Sequence, residues 1–499
     1  MLGLRGSRLP SLRAGIVRKA MSYIAEEMGV TLKKSAISPN IRERLDLSCA
    51  ILGPEGEVLA QAEHIPVHLG SLSWAAKRLI GVVDDLIEEP GDVVIVNNPY
   101  LTGTHLNDVT VITKTEVGWL VNKAHHVDVG GPVAGSLNPY AKTLYDEGYV
   151  IEPTLIAKKW KPLDGVISYI ASHVRNEKVF KADLKAQLAS LKLGHSRIVE
   201  AKERYGDLLS YAKEYLEASK REYLEALGGK EGKGEADVKM ELPEGHVTIK
   251  VKIELKEGLL ADFTGTSPQV PYNLNAVEGV AYAATSFFFK SMFLPEGPVD
   301  QGLYDLIKVK TEEGSLLNPK FPAAVGAGNL ETSQRVLWAL LKASSFLNPP
   351  SAGPGTMSNV IIAYGKKVYY ETNGGGGSAT SEKDGANAVQ WGMTNTMNTP
   401  IEIVEAELPV LFLKYSVRRG SGGKGRKRGG DGIVRKWTAL DELEVNLIVS
   451  QTSEQSPGEP PGSEAKVLIN GKEVSGYFSG KLKRGDVLEL WTPGAGGHS

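Results

Sequence analysis

Apolar residues recur at helical spacing between Ser11 and Lys34, where Ile16, Ala20, Ile24 and Met28 predict one amphipathic helix. The pattern then shortens. CAILGPEGEVLAQA predicts a strand, a turn at Pro54 to Gly56 and a second strand. HLGSLSWAAKRLIGVVDDLI predicts a helix capped by the hydroxyl of Ser71 or Ser73. GDVVIVNNPY predicts an apolar strand ending in a turn at Asn97 to Pro99. VTVITKTEVGWLVNKAHHVDV predicts a hairpin turning near Glu116 to Gly118. From Lys181 to Leu227 the pattern is helical, with charges interspersed among Leu, Ala and Tyr as on solvent-facing helices. GGKEGKGE then interrupts it as a polar, glycine-rich break. VKMELPEGHVTIKVKIEL predicts a β-hairpin, and short strands, glycine turns and a helix over 333–345 follow.

The expected fold is mixed α/β (α+β) and multidomain, because 499 residues exceed what one hydrophobic core usually serves. The break divides it into an N-terminal α/β region, residues 1–229, and a β-rich, glycine-rich region, residues 236–499. No internal repeat is visible.

Composition narrows the class. With 41% hydrophobic and 23% charged residues the chain reads as an ordinary globular protein. A net charge of −2 gives no bulk electrostatic argument for a nucleic-acid partner. No stretch approaches the roughly 20 apolar residues that span a bilayer. The basic N-terminus lacks the apolar run and cleavage site of a secretory signal, so a cytoplasmic location is expected. The single cysteine, Cys49, excludes an internal disulfide and a thiolate zinc cluster, and its run LSCAIL predicts a buried structural thiol.

The candidate chemistry lies in imidazoles interleaved with acids. Five of the nine histidines fall between His64 and His126, in HIPVHLGS, GTHLND and AHHVDVGG, with ERLDLS just upstream. Imidazole and carboxylate together suit a divalent metal, and the mixture fits zinc, manganese or iron. His105 and Asp108 are three apart, so a helical turn or a tight loop brings them together. A histidine of AHHVDVGG, together with Asp46, would complete a four-ligand site. His125 and His126 are adjacent, so on a strand they face opposite sides and only one is a ligand. The alternative is that each histidine caps a strand end or bonds a neighbouring carboxylate. Pro66 argues against a regular helix at His64 and His68, which read equally as substrate contacts or structural histidines.

Two glycine-rich stretches invite a ligand. ETNGGGGSA leaves backbone N–H groups free to approach an anion, or else forms a tight structural turn; it lacks the Lys-Ser/Thr tail of a phosphate loop. VRRGSGGKGRKRGGDG, with Arg418, Arg419, Lys424, Arg426, Lys427 and Arg428, suits a phosphate or carboxylate, or a solvated or subunit-contact surface.

Taken together, SPNIRERLDLSCAI, AEHIPVHLGS, NNPYLTGTHLNDVTV, AHHVDVGG, DFTGTS, PAAVGAGN, ETNGGGGSA, MTNTMNTPIEIVE and SVRRGSGGKGRKRGGDGIVRKW resemble the hydantoinase B/oxoprolinase family. They run in family order over nearly the whole chain. The resemblance implies a metal-bearing B-type subunit of an ATP-dependent cyclic amidohydrolase that opens a 5-oxoproline, hydantoin or related lactam ring. ATP would be used by a companion hydantoinase A-type subunit, in a hetero-oligomer such as α2β2. The family's ketone-carboxylase branch is the first alternative, and a non-catalytic scaffold for the ATPase subunit is the second. Carried over by motif, the metal ligands would be Asp46, His105, Asp108 and a histidine of AHHVDVGG, His125 first and His126 as the alternative. Asp128 and His126 would serve beside them as second-sphere or acid/base groups, and His64 and His68 would line the substrate pocket.

Overall fold

The computed structural model describes residues 10–62, 64–451 and 460–499, so the first nine residues of the basic N-terminal segment lie outside it. Seven strands form the first sheet: β1 (Leu47–Leu52), β2 (Val58–Ala62), β3 (Val93–Val96), β4 (Asp108–Thr115), β5 (Gly118–His125), β6 (Thr154–Lys158) and β7 (Lys161–Pro162). Their order is β2-β1-β5-β4-β3-β6-β7, and every pairing is antiparallel. The predicted β4–β5 hairpin closes with Thr115 opposite Gly118.

β1, β4 and β5 are buried along most of their length because both faces of the sheet are covered. On one side pack the helices Leu12–Ser35 and Glu177–Tyr205. The buried stripe of the first helix is Ala14, Val17, Met21, Ile24, Met28 and Leu32, at the three-and-four spacing of a helix face. Ile16, expected on that stripe, is exposed. The long helical segment divides into Glu177–Tyr205 and Leu208–Leu227 at Gly206, whose φ of 82° ends the first helix before Asp207 caps the second.

The helix expected near residue 71 spans Ser71–Val83, but no serine caps it. The Ser71 hydroxyl instead donates to the His68 carbonyl at 3.1 Å, and Gly70, at φ 74°, occupies the cap position. A single 3₁₀ turn, Pro66–His68, precedes it.

A second sheet holds β8 (Gly232–Glu241), β9 (His246–Leu255), β10 (Leu259–Asp262) and β11 (Ile307–Lys310) in the order β11-β10-β9-β8. β10 and β11 are parallel, joined through the helix Glu278–Phe293, as a parallel connection requires. β8 begins inside the GGKEGKGE stretch. Gly234 is needed there because a Cβ would lie 1.9 Å from the Ala343 carbonyl of the buried helix Ser333–Ala343. One connected core runs from Ala14 to Tyr477 and continues across this point.

Two more sheets complete the chain. Their strands are β12 (Asn359–Tyr364), β13 (Lys367–Glu371), β14 (Val410–Val417), β15 (Ile433–Ala439), β16 (Leu443–Ile448), β17 (Lys466–Ile469), β18 (Lys472–Val474), β19 (Tyr477–Leu482) and β20 (Val487–Trp491). The orders are β13-β12-β16-β19 and β14-β15-β20-β17-β18. Strand alternation sends Val360 and Ile362 into a second, smaller core with Trp437, Leu488 and Leu490, while Ile361 and Tyr370 face the main core. Among the described residues no helix is long and apolar enough to cross a membrane.

Beside these sheets glycine backbones pack directly on one another. A Cβ on Gly376 would lie 2.0 Å from the Gly430 carbonyl, one on Gly429 2.1 Å from the Ala495 carbonyl, and one on Gly494 2.0 Å from the Ser421 carbonyl. The amides of Gly375, Gly376 and Gly377 donate to the carbonyls of Val389, Pro493 and Ala386. Those three N–H groups are therefore committed to the chain, and the structural turn, not the anion-binding one, is what ETNGGGGSA forms. In the basic loop Arg418 donates to the carbonyls of Glu464 and Thr492, and Arg428 pairs with Asp431.

A candidate metal centre at three strand ends

Antiparallel pairing brings the ends of β1, β5 and β4 together, and the sequence places an acid or a histidine at each. Asp108 opens β4 directly opposite His125, the last residue of β5. Asp46 immediately precedes β1, and its carbonyl accepts the His125 amide at 3.0 Å. His105 reaches the same point from a tight turn closed by the Asp108 amide on the His105 carbonyl. All four side chains are buried or nearly so.

The donor atoms converge. His105 Nε2 lies 3.2 Å from Asp108 Oδ1 and 3.1 Å from His125 Nδ1. His125 Nδ1 lies 3.4 Å from Asp108 Oδ1 and 3.7 Å from Asp46 Oδ2. The other nitrogen of His105 faces the Gly326 carbonyl at 2.9 Å. A carbonyl only accepts, so Nδ1 carries a proton and Nε2 is left with its lone pair toward the cluster. Lone pairs of His105, His125 and Asp108 thus face one another, an arrangement that requires a cation or a proton between them. His105, Asp108 and His125 bring one ligand atom each within 4.8 Å of one another, and so do Asp46, His68 and Asp108. The donor set fits a divalent metal of the zinc, manganese or iron kind.

The charges are consistent with that demand. Burial opposes the charged form of His105, but the Asp108 carboxylate and the Gly326 carbonyl together hold its pKa above the ordinary value. Burial likewise works against ionised Asp108, yet His105 and His68 hold its carboxyl well below the usual range. Burial lowers His125 despite the nearby Asp46.

The two oxygens of Asp108 are divided between two tasks. Oδ1 faces His105 and His125, whereas Oδ2 is met by His68 Nε2 at 3.1 Å and by Asn329 Nδ2 at 3.0 Å. Such outer partners fix the orientation of a ligating carboxylate. His68 comes from the Pro66–His68 turn, with its Nδ1 on Ser48 Oγ at 3.0 Å. Asn329 comes from a π-turn, Gly328–Thr332. His125 stacks on Tyr370 with 5.1 Å between ring centroids, and Arg44 lies over the same ring. Arg44 is tied in turn to Glu371, fully buried, at 3.1 Å, and Arg435 reaches that carboxylate from β15 at 3.8 Å.

Other expected site residues stand elsewhere. His126 points to the opposite face of β5, onto Phe180 and Gln187 Oε1 at 3.0 Å, as strand alternation demands. Asp128 turns away from the cluster: it accepts the amides of Gly130 and Gly135 and pairs with Arg175 at 2.8 Å. Those three partners tie its carboxylate to the loop after β5. His64 lines a neighbouring cavity of about 190 Å³ with Gln61, Phe287, Lys290 and Asn395. Cys49 is buried and held protonated, its thiol pushed up to about 12 by burial.

Lys123 went unnoticed in the sequence. It shares the His125 face of β5, is fully buried, and donates to the Thr102 carbonyl and Thr104 Oγ1. Burial lowers it to about 8. Its place two residues before His125 was the available signal.

The family model described as hydantoinase B/oxoprolinase matches residues 11–499. An uncharacterized protein of Methanocaldococcus jannaschii is 41% identical, over 97% of this chain and 89% of its own. 5-Oxoprolinase 1 of Arabidopsis thaliana is 34% identical over 95% of this chain, which spans only 40% of the plant protein's length. The crystal structure of the ATP-dependent caprolactamase from Pseudomonas jessenii has the same fold, with a TM-score of 0.86 at 24% identity, covering 98% of this chain and 91% of that one.

Proposed function

The chain belongs to the hydantoinase B/oxoprolinase family, and we propose that it is the metal-bearing B-type subunit of an ATP-dependent cyclic amidohydrolase. The substrate class is a lactam or hydantoin ring, with 5-oxoproline first. The observation that carries this reading is the buried convergence of His105, Asp108, His125 and Asp46, in a chain 34% identical to a 5-oxoprolinase.

A ring amide is a poor electrophile. ATP, used by a companion A-type subunit in a hetero-oligomer such as α2β2, phosphorylates its carbonyl oxygen and releases ADP; water then adds to the activated ring carbon, the ring C–N bond breaks with the nitrogen taking a proton, and a second water cleaves the resulting acyl phosphate to carboxylate and phosphate. A divalent metal, when bound, lowers the pKa of water and stabilises negative charge developing on oxygen. Asp46, His105, Asp108 and His125 would hold it. His105 is kept in the correct tautomer by Gly326, and Asp108 is kept to one free oxygen by His68 and Asn329. His64 lines the adjoining cavity, where the ring would approach. His126 and Asp128 support the strand and loop that carry these groups.

The test is reconstitution of the chain with an A-type subunit, a divalent metal, ATP and 5-oxoproline. Ring-opened product formed with ADP, without need of bicarbonate and lost in His105→Ala, is expected. ATP turnover that requires bicarbonate would instead favour the ketone-carboxylase reading. Full ring-opening activity in the variant would favour the scaffold.

A further inference from the structure

Asn329 is 1% exposed, and its two polar atoms are unequally served. Nδ2 donates to Asp108 Oδ2 at 3.0 Å. Oδ1 meets no donor among the described residues. An unmet buried carbonyl is costly, so a native structure seldom keeps one without something to satisfy it. His125 presents the complementary case: its Nδ1 faces the cluster, while its Nε2 is buried and meets no acceptor among the described residues.

Both residues line the same small cavity, together with Asp46, His68, His105, Asp108 and Tyr370. Its volume is about 20 Å³. The space is on the scale of a single water or of an ion with its ligand, above the roughly 10–15 Å³ that one water requires, and leaves no room for a ring. The hydroxyls at the cavity's edge are engaged with one another: Thr372 and Thr396 lie 2.6 Å apart, and both accept from Arg44. Asn329 therefore offers an acceptor that the described residues leave unmet. When Nδ1 of His125 gives its lone pair to the ligand cluster, its buried Nε2 carries the proton and is the ring's donor. A buried water needs such a pair of partners at least.

The backbone keeps Asn329 there. The π-turn Gly328–Thr332 inserts one residue ahead of the helix Ser333–Ala343, a device common at functional sites. Gly328 seats it closely, since a Cβ would lie 2.3 Å from the Asn275 carbonyl. Asn275 is itself fixed by donating to the carbonyls of Val270, Tyr272 and Ala324.

We infer that Asn329 positions a single water in this cavity, against Asp108, through its side-chain carbonyl. Resting on the lactam-opening reading, that water is the one that adds to the activated ring carbon. Two variants separate this role from a structural one. Both lose the Nδ2 donor to Asp108, but Asn329→Asp keeps an acceptor oxygen and Asn329→Leu removes it at similar volume. Crystals of the full chain, loaded with manganese or zinc, give the direct readout. One ordered water is expected within about 3 Å of Oδ1 in the wild type. The same water should persist in Asn329→Asp and be absent from Asn329→Leu.

In the reconstituted complex at saturating metal, Asn329→Leu is expected to lower kcat about 100-fold, the scale set by misplacing a reacting group, with KM little changed; any loss of metal affinity from the missing contact to Asp108 should be shared by Asn329→Asp. No water at Oδ1 in the wild-type crystals would overturn the inference, as would equal behaviour of the Asp and Leu variants. A water present at Oδ1 in a wild-type complex that opens no lactam would leave the water site standing and sink only the lactam reading.

Discussion

Glu147 supports the cluster from behind, and its own environment sets a measurable pH dependence. The side chain is buried, and its two oxygens accept the amides of Val325 at 3.1 Å and Gly326 at 2.6 Å. Burial outweighs those two hydrogen bonds and pushes the carboxyl from 4.5 up to about 8. Between those values the folded chain holds a proton that the unfolded chain has released, so stability falls as pH rises through the window. Each pH unit is worth about 1.4 kcal/mol, and the whole 3.5 units from 4.5 to 8 about 5 kcal/mol. Glu147→Gln is neutral at every pH and keeps the shape. Urea unfolding of both chains at about pH 5.5 and about pH 7.5 isolates the effect, because other titrating groups cancel in the difference. The variant should gain about 3 kcal/mol relative to wild type across those two units. A difference constant within about 0.5 kcal/mol, or one of opposite sign, would refute the argument. Because the Gly326 carbonyl receives His105 Nδ1, the same variant also tests the segment that orients His105.

Bound metal, measured per chain after loading with zinc or manganese, should be near-stoichiometric in the wild type and lost in His105→Ala. His126→Ala should keep its metal, since that ring lies on the opposite face of β5; loss of metal there would contradict the division between the two histidines. Glu371→Gln leaves Arg44 and Arg435 buried without their carboxylate and should cost about 3–5 kcal/mol, read from the shift in the unfolding midpoint. Gly376→Ala sets a Cβ 2.0 Å from the Gly430 carbonyl and should destabilise by about 1–3 kcal/mol, with an unchanged midpoint showing that the glycine packing gives way freely.

Much of the fold was legible because period and punctuation agreed. The β1–β2 and β4–β5 hairpins follow from alternating runs around GPEG and EVG, and that pairing alone predicts that GTHLND and AHHVDVGG meet. The period of two also separates His125, the last residue of β5, from His126, which follows directly on it and turns to Phe180 and Gln187. What was not legible came from irregular backbone. His68 arrives on a 3₁₀ turn and Asn329 on a π-turn, and neither obeys a period that spacing arguments use. Asp128 follows His125 closely in sequence, but the chain turns after β5 and sets its carboxylate against Arg175. The glycine-rich loop was ambiguous in sequence because free and engaged amides are spelled alike.

The backbone-on-backbone packing of Gly376, Gly429, Gly430 and Gly494 has a thermal consequence. Nearly all of its closeness is peptide against peptide, so its disruption exposes mainly polar surface, which lowers the heat capacity where apolar exposure raises it. Cooling weakens the grip of the two apolar cores, but it takes little from a seam of this composition. At low temperature the glycine seam should therefore be among the last parts of the chain to release its amide protons to solvent.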